Sequence, residues 1–382
     1  MRFTAAILAI VLVSLSGFAQ SYRKVDRFVH SALAANTGNV DSLSAQIAGS
    51  FSRESDRLRA AYGWICSNIE YDVERMANPI SYRGDSAVRV TLAKRKAICS
   101  GYADLFIGIC RQLDIKAYYV SGYTKQDGGI VDQSHAWVAV RLSNGQWKLF
   151  DPTWGASTWQ GGELVKRLSY EYFMREPADF IKTHMPFDPM WQLLYQPVMA
   201  AEFYGQKVVK DADYLFNYSD TISDYQILPE PRMYANAMRR MRWGGIRNES
   251  SARYYQFLEK EYAFALENER RTLHEIWLYA FCDQEKDYQT SVEMYEQLQQ
   301  LKTDYSSRGV SFTQLQYQSD VLLEHSKKCV EALKRLKPSE QADLLLWDAL
   351  CQKVESMQEL VERQHKLIGS GSSANAKTRN SR

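Results

Sequence analysis

Two β-rich runs, Ser134-His135-Ala136-Trp137-Val138-Ala139-Val140-Arg141-Leu142 and Gln146-Trp147-Lys148-Leu149-Phe150-Asp151, stand on either side of Asn144-Gly145. Asn-Gly is the strongest short-range hairpin signal, because both residues accept the positive φ that a tight turn between twisted strands requires. The middle of the chain therefore has to contain antiparallel sheet. The hairpin also brings His135, which opens the first strand, to the same end as Asp151, which closes the second; a general base and the carboxylate that orients it need that proximity. Register decides whether they share a face. A two-residue turn opposes Leu142 to Trp147, Val140 to Leu149 and Val138 to Asp151, which puts His135 and Asp151 on opposite faces. A three-residue loop, or a bulge near the strand end, shifts the pairing by one and sets Asp151 diagonal to His135 on one face. As catalytic partners the two predict such an irregularity. Taken singly, His135 also reads as a structural histidine, and Asp151 before Pro152 as a turn residue.

Upstream, Tyr102, Leu105, Phe106, Ile109 and Leu113 recur at the spacing of one face of an amphipathic helix, so Cys99-Ser100-Gly101 falls at its N-terminus. A thiol there meets the positive end of the helix dipole and unpaired backbone N–H groups, which favour a thiolate and can stabilise an oxyanion. Lys94, Arg95 and Lys96 act in the same direction. Cys99 alone reads more readily as a small residue at a helix start. With His135 and Asp151 following, however, the order Cys…His…Asp is that of a thiol-based acyl-transfer triad.

The runs Lys96-Ala97-Ile98-Cys99-Ser100-Gly101-Tyr102-Ala103, Ser134-His135-Ala136-Trp137 and Asp151-Pro152-Thr153-Trp154-Gly155 resemble the three signature blocks of the transglutaminase-like superfamily. Trp64-Ile65-Cys66-Ser67-Asn68-Ile69-Glu70-Tyr71-Asp72 resembles the helix that precedes that core. Tyr172-Phe173-Met174, Pro177, Phe180-Ile181, His184, Pro186 and Trp191-Gln192-Leu193-Leu194 resemble the branch containing the kyphoscoliosis peptidase. The resemblance covers about residues 55 to 205. It implies an α+β, papain-like transglutaminase core, in which a nucleophile helix packs on an antiparallel sheet. It further implies Cys99 as nucleophile, His135 as base and then acid, and Asp151 as the group that fixes the imidazole tautomer. The Cys99 N–H would be one oxyanion donor and Tyr82 a candidate for the other. No cofactor and no metal are expected; His184 and Asp188 are four apart, but Pro186 between them disfavours the helix that would pair them on a metal.

Arg2 and the apolar run Phe3–Leu15, too short to span a bilayer, precede Gly17-Phe18-Ala19, so residues 1–19 read as a cleaved secretory signal. A secreted or periplasmic protein with no membrane span is expected. Lys+Arg 47 against Asp+Glu 45 leaves a net charge of +2, without the basic face that phosphate neutralisation requires, so nucleic acid is not an expected partner. Six cysteines in 382 residues are too few for a disulfide framework, and they lack zinc-site spacing.

The composition divides the chain into an N-terminal helical segment (20–60), the catalytic region (61–205), an all-α helical bundle of three or four long helices (206–368) and a disordered basic tail (369–382). Trp137, Trp147, Trp154, Trp159 and Trp191 form either core or groove wall, and Gly161-Gly162 marks a candidate lid. The bundle reads equally as a partner-docking module or as a buttress. An exported cysteine peptidase or amidase working through a thioester on a protein or peptide is the favoured function. A crosslinking acyltransferase with an amine acceptor, or a non-catalytic scaffold that kept the fold, are the alternatives.

Overall fold

The computed structural model describes residues 22–31, 38–77, 84–161, 163–209, 215–307 and 309–379. The proposed signal (1–19), Tyr82, Gly162 and residues 380–382 lie outside these. The chain divides into two compact units between Ala263 and Phe264.

The first unit opens with helices α1 (Arg23–Val29), α2 (Val40–Ser50) and α3 (Glu54–Asn68), then strand β1 (Glu70–Tyr71), α4 (Val73–Ala77), α5 (Gly84–Lys94) and β2 (Lys96–Ala97). Helix α6 (Cys99–Gln112) follows, then β3 (Lys116–Gln126), β4 (Gly129–Arg141) and β5 (Trp147–Phe150). After these come α7 (Pro152–Ala156), a small hairpin of β6 (Ser157–Gln160) and β7 (Glu163–Lys166), α8 (Pro177–Phe180), β8 (His184–Pro186) and a 3₁₀ turn over Pro189–Gln192. The central sheet is antiparallel with strand order β5-β4-β3-β8, while β1 and β2 form a short parallel pair.

The apolar stripe read on α6 is the helix's packing face: Tyr102, Leu105, Phe106 and Ile109 are wholly buried against Ala136, Val138 and Val140 of β4 and Phe150 of β5. The alternate residues of the same strands, Trp137, Ala139, Trp147 and Leu149, pack on the opposite face with Phe180, Met190, Trp191 and Ile222. A strand buried on both faces reads as a continuous apolar run, which is what Ala136–Val140 is.

Packing runs across two of the expected boundaries. Val25, Leu43 and Ile47 join the same core as α6, and Arg59 forks onto Asp26, so α1 and α2 pack into the same body as the sheet. Past residue 205, helices α9 (Ala200–Phe203), α10 (Tyr218–Tyr225) and α11 (Glu230–Gly244) also belong to that body. Ile222 enters one core, and Ala237, Met238 and Met241 pack with Tyr123, Met185 and Phe187 in another. The apolar faces of these helices have their partners on the sheet side, which a composition shift at Tyr204-Gly205 could not reveal.

Helix α12 (Glu249–Ser307) crosses the division. In the second unit, its remainder packs with α13 (Phe312–Arg335) and α14 (Gln341–Arg379) around Phe281, Cys329, Leu333 and Val354 at one level and Leu298, Leu315, Leu322 and Val361 at another. Helix α12 ends at Ser307, and Ser311 with Gln314 closes a reciprocal capping box at the start of α13, on which Val321 is exposed. The last helix runs through Gly369 to Arg379, where a disordered tail was expected: no proline intervenes, and extending a formed helix carries none of the nucleation penalty.

Candidate active site

Cys99 is the first residue of α6, after Ile98 in extended conformation, and the Gly101 and Tyr102 amides close the first turn onto the Ile98 carbonyl. Gly101 is glycine for space: a Cβ there would come within 2.7 Å of Ala97 Cβ and of Thr91 Oγ1. Cys99 is half-buried at the floor of a cleft of about 1070 Å³ whose walls include Tyr71, Tyr119, His135, Trp154 and Tyr172.

The hairpin takes the three-residue solution. Arg141 opposes Trp147 and Val138 opposes Phe150, with Leu142 closing on Gln146 around Ser143-Asn144-Gly145 and Gly145 at φ +83°. This is the irregularity that pairing His135 with Asp151 requires, and the Ser143 amide is bound by the Glu54 carboxylate of α3, which draws Ser143 into the loop. One residue's shift places His135 and Asp151 diagonally on one face. A further irregularity lies between β3 and β4, where the register changes beside the Gly122–His135 pair.

His135 Nε2 lies 2.7 Å from Asp151 Oδ2. Cys99 lines the same cleft as this imidazole, and its interaction with the ring is among the causes that raise the ring's pKa. Burial disfavours the charged ring, but the Asp151 carboxylate and then Cys99 outweigh it and push His135 up to about 10. Asp151 is wholly buried. Burial raises its pKa, yet the charge and hydrogen bond of His135, joined by His184, hold the carboxyl well below the usual range. As N-cap of α7 its Oδ1 accepts the amides of Thr153 (2.8 Å) and Trp154 (3.1 Å). Its own amide donates to the Tyr172 carbonyl, and its carbonyl accepts the Tyr62 hydroxyl at 3.0 Å. Cys66 caps the next carbonyl, that of Pro152.

The sequence did not give His184 a role beside the aspartate. Its Nε2 stands 3.1 Å from the same Asp151 Oδ2, and its Nδ1 stands 2.8 Å from Thr183 Oγ1. Burial, partly offset by Asp151, lowers its pKa to about 4, so the ring is neutral. Asp188, four residues on, is forked by Arg240 at 2.7 and 2.8 Å, and His184 itself lies on a strand. The nitrogen and oxygen atoms of His135, Asp151 and His184 lie within 4.8 Å of one another, as a metal would require, but hydrogen bonds already occupy them. All six cysteines are free thiols.

Residues 41–152 match the family model described as the Transglutaminase-like superfamily. The chain carries a transglutaminase-like domain. It is 34% identical to the human (Homo sapiens) kyphoscoliosis peptidase over 202 residues, 50% of this chain and 30% of that protein. The Mus musculus kyphoscoliosis peptidase is 37% identical over 39% of this chain and 23% of its own length; Drosophila melanogaster Hillarin is 26% identical over 48% and 24%. The chain thus spans less than a third of the length of these relatives. A solved chain from Cytophaga hutchinsonii, described as a candidate cysteine protease, is 24% identical over 34% of this chain and 42% of its own, with a TM-score of 0.25. The transglutaminase-like domain is of the branch that resembles the kyphoscoliosis peptidase, and its α+β core packs a helix on an antiparallel sheet. Among the described residues no helix is long and apolar enough to cross a membrane.

Proposed function

We propose that this transglutaminase-like protein is an exported cysteine hydrolase, a peptidase or amidase, that cleaves a protein or peptide through Cys99, His135 and Asp151. The observation that carries the reading is an imidazole held at 2.7 Å by a buried carboxylate in the cleft that a helix-start cysteine also lines. Asp151, being ionised, accepts a hydrogen bond from Nε2–H and so leaves Nδ1 to exchange a proton with sulfur. The Cys99 thiolate attacks the carbonyl carbon; the Cys99 backbone N–H, unpaired within the helix, faces the developing oxyanion. The C–N bond breaks as imidazolium Nδ1–H passes its proton to the departing amine, leaving a thioester. Water, deprotonated by the same nitrogen, then displaces sulfur and releases a carboxylic acid. The open cleft, which admits water, favours hydrolysis over transfer to an amine. Export rests on residues 1–19, and N-terminal sequencing of secreted material tests it.

The test of the triad is alkylation of Cys99 by iodoacetamide in the full chain at neutral pH, with Cys99→Ala to subtract the other thiols. His135→Ala is expected to slow alkylation at least about tenfold, since the thiolate is the reacting species. Equal rates in the two proteins would overturn the reading. Peptide cleavage with and without an added primary amine then separates hydrolysis from transfer.

A further inference from the structure

We propose that His184 is a positioning residue that donates from Nε2 to Asp151 Oδ2 and locks that carboxylate against His135. The proposal rests on the reading of Cys99, His135 and Asp151 as the reacting group. An ionised carboxylate only accepts hydrogen bonds, so the His184 nitrogen 3.1 Å from Oδ2 must carry a proton. In a neutral ring the other nitrogen is then bare, and Thr183 Oγ1, 2.8 Å from Nδ1, is the donor that fixes this tautomer. The four lone-pair positions of Asp151 are filled by two backbone amides on Oδ1 and two imidazoles on Oδ2. Rotation of the carboxylate would break all four at once.

The surroundings keep His184 uncharged. Its ring is 1% exposed and lies 4.0 Å from the Phe180 centroid, 4.5 Å from Trp154, 5.2 Å from Trp137 and 5.3 Å from Tyr172. A histidine in such an aromatic cage costs free energy unless both nitrogens are paired, and both are. The sheet delivers it from a different strand than its neighbour: His184 opposes Thr124 on β3, whose other side carries β4 and His135 opposite Gly122. Gly122 permits the approach, since a Cβ there would lie 2.1 Å from the Met185 carbonyl. Packing alone would be served as well by phenylalanine; what His184 adds is a donor aimed at the oxygen that orients the base.

Iodoacetamide alkylation of Cys99 is measured in wild type, His135→Ala, His184→Phe, His184→Gln and Thr183→Val, with ¹⁵N-imidazole spectra of the wild type. The expected result is a ~10- to 100-fold slower alkylation in His184→Phe, the factor carried by one hydrogen bond to a charged group. His184→Gln, whose amide can donate at the same reach, restores most of the rate, Thr183→Val slows it less, and His184 stays in the Nε2–H form from pH 5 to 8. A wild-type rate in His184→Phe, a glutamine variant no better than phenylalanine, or a charged His184 at neutral pH overturns the proposal. If His184→Phe fails to fold, Thr183→Val decides: a wild-type rate with an unchanged His184 tautomer overturns it. Insensitivity to His135→Ala refutes the triad reading itself, whereas sensitivity to His135→Ala without sensitivity to His184→Phe refutes this inference alone.

Discussion

Two histidines on one carboxylate oxygen give the first unit a stability optimum in pH, and His184→Gln is the perturbation that isolates its acid side. The neutral, buried His184 has its pKa lowered from 6.5 to about 4. Below pH 6.5 the unfolded chain takes up a proton that the folded one refuses, so stability is lost as pH falls from 6.5 towards 4. His135, raised from 6.5 to about 10, acts in the opposite sense: the folded state holds a proton the unfolded one has released, and stability is lost as pH rises through that range. Neither limb overlaps the other, and the maximum falls near pH 6.5. At about 1.4 kcal/mol per unit, the His184 limb is worth about 2 kcal/mol between pH 6.5 and about pH 5, a window chosen to stay above most carboxylate titration. The assay is urea unfolding followed by tryptophan fluorescence, since Trp137 and Trp154 both lie against the His184 ring. Wild type is expected to lose about 2 kcal/mol more than His184→Gln on acidification. Equal losses in the two proteins would mean that His184 is charged in the folded state, and the argument from burial would fail.

Gly155→Ala should act on the same carboxylate from behind. Its Cβ would sit 2.1 Å from Tyr62 Oη and 2.9 Å from Cys66 Sγ, the two groups that hold the Asp151 and Pro152 carbonyls. A loss of about 1–3 kcal/mol in urea unfolding, together with slower Cys99 alkylation, is expected; an unperturbed variant would show that α3 does not set the height of Asp151. Arg240→Ala strips the buried Asp188 of its only fork and is expected to cost about 3–5 kcal/mol, read by thermal or urea unfolding, with Asp188→Asn in the same background recovering part of it.

Helix α6 was legible because its signal is local: one apolar stripe from Tyr102 to Leu113 sets the buried face and puts Cys99 at the open end. The hairpin was legible up to its turn. Asn144-Gly145 announces it, but the loop length was chosen by Glu54, which lies 89 residues away and has no sequence pattern pointing to Ser143. His184 was recognised only as part of a resemblance. It stands on a three-residue strand ending in Pro186, too short for alternation to register, and its meaning comes from Asp151, 33 residues earlier. The extent of the body past residue 205 was hidden for the same reason. Ile222 and Met241 look like the apolar face of any helix, and only the fold says which surface they cover.

Strand β5 occupies the outer position of the sheet, yet it is not an open edge. Leu149 exchanges two backbone hydrogen bonds with Arg175, at 3.1 and 2.9 Å, and the Asp151 amide is taken by the Tyr172 carbonyl. The chain thus stitches down its own margin with a segment that returns after the small hairpin. An unpaired margin of this kind is a template on which another extended chain can be laid, and a buried strand as rich in apolar side chains as Trp147–Phe150 would be an inviting one. Because the seam is closed by the molecule itself, the strand that presents the aspartate cannot recruit a neighbour, and crowded copies of the protein are denied one route to fibrous association.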